Sequence, residues 1–175
     1  NQKTAGADLD LVLAREDIDS ILPMPLAQRG SCKWDLRFDD MTTGYSGTPL
    51  AKKLGLKDGM RVWFDAMPDG VRAEIGDAEL SLSEQEVPAP GTNCAHIFVD
   101  SRSVMEKHLT ALRDLIDPAG MIWVSWPKKA SKVPTDITED TVREVALPMG
   151  YVDVKVCAVD AIWSGLKLVI RKELR

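Results

Sequence analysis

The sequence is short of the residues that mark most catalytic and metal-binding proteins. Its 175 residues include three cysteines and two histidines. Cys32, Cys94 and Cys157 lie far apart with no C-x-x-C pair, which argues against a disulfide framework and against a zinc site. His96 and His108 fall in different elements, and neither has a second His or Cys at ligand spacing, so no metal is expected. No Ser-His-Asp or Cys-His constellation can be argued from spacing, and both histidines read as structural or surface residues. No apolar run approaches the roughly 18 residues that a membrane helix needs. No basic segment followed by an apolar one opens the sequence, and a cytoplasmic protein outside the membrane is the expectation. Lys+Arg number 22 against 27 Asp+Glu, a net charge of -5, and no Lys/Arg run offers a basic face to nucleic acid.

What is present is a well-patterned core: 45% of the residues are hydrophobic, enough for one domain of this length. Residues 1–40 read as an N-terminal extension, an apolar helix pattern (Leu9, Leu11, Val12, Leu13, Ile18, Ile21, Leu22) followed by Pro23, Pro25 and a polar tract. Met41 is a candidate natural start, with the domain over residues 41–175. From there the local signals are sharp. Thr48 as N-cap, Pro49 at the first helical position and Gly55 as a left-handed stop predict a short helix over Leu50 to Leu54. Arg61 to Ala66 reads as a strand buried on both faces. Within Val71 to Pro90 only Ala78 to Leu82 suggests a strand. Cys94 to Asp100 is the next strand and leads into a helix from about Ser103, with Ser103 and Glu106 at capping-box spacing and Asp117-Pro118 as its end. Met121 to Trp126 repeats the strand pattern. The loop Pro127 to Asp136 then precedes a helix capped by Thr138, with Glu139 and Asp140 in its first turn. Pro148 and Gly150 close that helix, and Val152 to Val159 and Leu166 to Arg171 predict a wide terminal hairpin.

This order implies an α/β fold: a three-layer Rossmann-like sheet, mostly parallel, with a C-terminal antiparallel hairpin. The succession Gly59-x-Arg61-Val62, Val99-Asp100-Ser101 and Gly120-Met-Ile-Trp-Val-Ser-Trp-Pro127 resembles the class I methyltransferase fold. In that family a glycine-rich loop after the first strand lets the backbone approach adenosylmethionine, and an acid at the end of the second strand holds the ribose. Here the loop reads Asp65-Ala-Met-Pro-Asp-Gly70, with one glycine and a proline. A β-α-β crossover takes at least about 10–12 connecting residues, so Met67 to Asn93 has room for one weak strand and a short helix; the sheet is expected to be truncated there. A second resemblance is carried by Gly44-Tyr-Ser-Gly-Thr-Pro-Leu50, Trp126-Pro-Lys-Lys129 with Val133-Pro-Thr-Asp136, and Lys155-Val-Cys-Ala-Val-Asp160 with Trp163-Ser-Gly165. Over about Met41 to Arg175 these resemble a family of small bacterial proteins known as the domain of unknown function 3052, which has no assigned activity and supplies no catalytic residue.

An open parallel sheet binds ligands outside the carboxyl ends of its strands, which places the candidate site at Asp65 to Gly70, Asp100-Ser101 and Trp126 to Lys129. Asp65, Asp100 and Ser101 are candidate ligand contacts, and Ser101 is equally a helix cap. Lys128 and Lys129 precede the helix starting near Thr138, so two cations and free backbone donors could share a small anion, or form a solvated basic loop. Trp126 and Trp163 are candidate pocket walls, or buried aromatics. Cys157 reads as a small core residue. Two functional classes follow. The first is a non-catalytic or regulatory domain without a cofactor, binding a small anionic ligand or a protein partner. The second is a divergent adenosylmethionine-dependent methyltransferase. A third, weaker class is an assembly protein docking through its sheet edge or a helix.

Overall fold

A computed structural model describes residues 47–175; the extension and its proposed start at Met41 lie outside the described residues. The described chain forms a six-stranded sheet flanked by helices on both faces. In chain order the elements are α1 (Leu50–Leu54), β1 (Arg61–Asp65), α2 (Asp69–Gly76), β2 (Ser83–Gln85), β3 (Thr92–Phe98), α3 (Arg102–Leu115), β4 (Ile116–Pro127), α4 (Glu139–Ala146), β5 (Tyr151–Ala158) and β6 (Trp163–Ile170). The sheet runs β2-β1-β3-β4-β6-β5. The β2/β1, β1/β3 and β3/β4 pairs are parallel, while β6 runs antiparallel to both β4 and β5. This is the mixed Rossmann-like sheet expected. Between β1 and β3 it holds one short helix and a three-residue strand, the truncation that the segment length implies.

Strand alternation sorts the core into two layers. Trp63, Ala95, Ile97, Ile122, Val124, Trp126, Leu166 and Leu168 face α3 and α4, where Met105, Leu109, Leu112, Val142 and Val145 meet them. Val62, Cys94, Phe98, Met121 and Trp123 face the opposite layer, with Leu50 and Leu54 of α1 and Val71 and Ile75 of α2. Trp63 and Trp123 are thus fully buried on opposite sides of the sheet. The indole Nε1 of Trp123 donates to the Leu54 carbonyl at 2.9 Å, satisfying one of the carbonyls that the end of α1 leaves open.

Several local expectations are corrected. Pro49 is the N-cap of α1, with no side-chain cap, so Thr48 does not play that part; Gly55 does take the left-handed stop, at φ 78°. The strand expected at Ala78 to Leu82 forms instead at Ser83–Gln85, because Met60 and Ser81 fix its approach: Gly59 N donates to Ser81 O, and Ser83 N to Met60 O. α3 begins at Arg102, within one residue of the start expected near Ser103, but it runs directly into β4 at Ile116, ahead of Asp117-Pro118. α4 is capped by Thr138 as expected: its hydroxyl accepts from Thr141 N–H while the Thr141 hydroxyl accepts from Thr138 N–H.

Candidate functional site

β1, β3 and β4 are neighbours and parallel, so their carboxyl ends share one edge of the sheet. β1 ends in Asp65, which alternation turns toward the α3 layer together with Trp63. Its Oδ2 lies 3.3 Å from His108 Nε2, with the two side chains 13% and 8% exposed. The His108 ring also packs against Trp63, centroid to centroid 5.8 Å, and its Nδ1 is buried without a partner. Directly after Asp65 the chain passes through Ala66 in the left-handed region, φ 50°, a conformation that disfavours a residue carrying a Cβ.

A second buried pair lies on the opposite face. His96 Nε2 is 2.7 Å from Ser125 Oγ, and both residues are fully buried. Phe98, Phe64 and Trp123 surround the imidazole at centroid distances of 4.4, 6.5 and 6.3 Å. With no charged partner, burial lowers the His96 pKa to about 3, so the ring is neutral.

Neither pair is legible in the sequence, where the two histidines have no partner at a recognisable spacing. Periodicity held part of the signal: Met105, His108, Leu109 and Leu112 share one buried helix face. Cys94, His96 and Phe98 likewise share one strand face. Which residues oppose those faces depends on strand order, which spacing along the chain does not contain.

The other candidate residues distribute as follows. The Asp100 side chain is exposed and makes no hydrogen bond or ion pair among the described residues, whereas its backbone carbonyl accepts from Thr135 Oγ1 at 2.7 Å and from Asp136 N at 3.2 Å. Ser101 occupies the N-cap position of α3, but its hydroxyl meets Ser103 Oγ at 3.0 Å and caps no backbone donor. The cap comes from another part of the chain, Asp136 Oδ1 accepting from Arg102 N at 2.7 Å. Trp126 is in the α3/α4 core, while Trp163 packs edge to face on Phe98, 5.2 Å between centroids, in the opposite layer. The two tryptophans therefore do not wall one pocket. Lys128 Nζ donates to the Asp160 carbonyl at 2.5 Å, and its backbone N to Ile162 O at 2.7 Å, which ties it to the β5–β6 connection. Lys129 is exposed and opens a single turn of 3-10 helix over Lys129–Ser131. α4 carries Glu139 and Asp140 in its first turn, so its own carboxylates already complement its N-terminal dipole.

Comparison with known proteins gives a fold and no family. No family model matches the chain, so the resemblance to the domain of unknown function 3052 has no match behind it, and no curated protein matches by sequence. Among solved structures, the chain is similar to a SAM-dependent methyltransferase from Aquifex aeolicus, with TM-score 0.51 and 18% identity over 70% of this chain and 88% of that one. It also matches the ribosomal protein L11 methylase from Lactobacillus delbrueckii subsp. bulgaricus, at TM-score 0.47 and 8% identity over 70% of this chain and 75% of that one. The fold is a methyltransferase-like Rossmann fold.

The residues after β1 do not fit the cradle that adenosylmethionine takes in that fold. The single glycine of this connection, Gly70, lies in the first turn of α2, and a Cβ built on it would meet no protein atom within 4 Å. Pro68 removes one backbone donor from the turn, and Asp69 puts a carboxylate in the first turn of α2.

Proposed function

We propose that this chain is a binding domain built on a methyltransferase-like sheet, which holds a small ligand at the carboxyl edge of β1, β3 and β4 without transferring a methyl group. The observation that carries this reading is the chemistry of the β1–α2 connection. Asp65 is turned inward to His108, and the loop that follows lacks the glycines that would let a cofactor meet its backbone. Asp100 and Lys129, exposed at the same edge and unpaired among the described residues, supply a carboxylate and an ammonium for such a ligand.

A second reading, a divergent adenosylmethionine-dependent methyltransferase, is favoured by the fold comparison, since the Aquifex aeolicus structure is covered over 88% of its length. Thermal-shift titration of the chain with adenosylmethionine and adenosylhomocysteine separates the two. A ligand that binds only the folded state stabilises it by about 2.7 kcal/mol at a hundredfold excess over Kd. A saturable rise in midpoint would replace the first reading with the second; an unchanged midpoint at millimolar ligand is the expected result.

A further inference from the structure

At the opposite, amino edge of the sheet α1 and α2 enclose an open cleft of about 620 Å³. The turn after α1 leads into β1 and the turn after α2 into β2. Those strands are parallel, so both turns lie at their amino ends. Apolar atoms of Pro49, Ala51, Leu56, Ala78 and Leu80 line the cleft. Its charged residues are segregated: Lys52 and Lys57 come from the α1 side, Glu74 and Asp77 from the α2 side. Among the described residues none of these four side chains makes a salt bridge or a side-chain hydrogen bond, although cations and carboxylates share one cavity.

We propose that this cleft binds a short peptide with free ends, its C-terminal carboxylate toward Lys52 and Lys57 and its N-terminal ammonium toward Glu74 and Asp77. The volume falls within the roughly 300–1,000 Å³ typical of ligand pockets, and the apolar lining suits aliphatic side chains. A simple anion would be drawn to one side and repelled by the other, whereas a zwitterion complements both. A tripeptide, whose extended chain spans about 10 Å, separates its two charged ends, whereas a single amino acid carries both on one carbon. This site is separate from the carboxyl edge and does not rest on the reading given for it.

The test is an amide NMR titration of the full chain with the tripeptide Ala-Leu-Ala, and in parallel with its N-acetylated, C-amidated form. The free peptide is expected to give saturable shifts confined to the amides of Ala51, Lys52, Leu56, Glu74, Asp77 and Ala78, and the capped form none. In a K52A/K57A variant, whose exposed lysines are not part of the core, the affinity should fall at least tenfold while the rest of the spectrum is unchanged. No saturable shift, equal binding of the capped peptide, or unaltered affinity in the variant would each overturn the proposal.

Discussion

His108 reaches from the buried face of α3 to place Nε2 3.3 Å from Asp65 Oδ2 at the end of β1, joining two elements that spacing along the chain leaves unrelated. Because both side chains are largely buried, removing either leaves the other short of a partner. Asp65→Asn and His108→Leu should each cost about 1–3 kcal/mol. The double variant should lose less than their sum, by about 0.5–3 kcal/mol, as expected for residues in contact. Urea unfolding of the three variants measures this, and strict additivity would mean the pair is not coupled.

His96 makes stability depend on pH with a defined sign. Its folded pKa of about 3 lies below the ordinary 6.5, so between those values the unfolded chain binds a proton that the folded chain does not. Stability associated with the neutral ring is therefore complete above about pH 6.5 and is lost as pH falls toward 3, at up to about 1.4 kcal/mol per unit. Urea unfolding at pH 7, 6 and 5 should show this slope, and His96→Phe should flatten it. Parallel pH profiles for the two proteins would remove the assignment.

Two glycines should respond in opposite directions to alanine. At Gly120 an added Cβ would lie 2.9 Å from the backbone carbonyls of Asn93 and Asp117, atoms that cannot swing aside, and overpacking of this kind costs about 1–3 kcal/mol. At Gly70, in α2 with open space around it, alanine should stabilise by roughly 0.5–1 kcal/mol through helix propensity. Thermal midpoints of the two variants check both signs. A Gly70→Ala loss instead would mean that something approaches this backbone closely.

The thiols should differ in reactivity. Burial pushes the Cys94 thiol up to about 12, whereas Cys157 is only half-buried, with its pKa raised by burial and opposed by Lys155, Lys53 and Lys128. Alkylation at pH 8 followed by peptide mapping should label Cys157 in the folded protein and Cys94 only after unfolding. Equal labelling rates would contradict the burial of β3.

The sequence by itself determined the class of fold. Apolar runs such as Arg61 to Asp65 and Met121 to Trp126 can be buried on both faces only in a covered sheet. Thr138 and Gly55 mark helix ends through their own backbone and side-chain chemistry. The shortness of the 66–91 segment limits what fits between β1 and β3. These are local properties, set within a few residues of where they act. Tertiary structure alone decided the site: that β6 lies between β4 and β5, that Asp65 meets His108 and His96 meets Ser125, that Asp136 rather than Ser101 caps α3, and that Lys128 is held by Asp160. Each joins groups far apart in the chain, and which groups meet follows from strand order and register, which the pattern along one strand or helix does not contain.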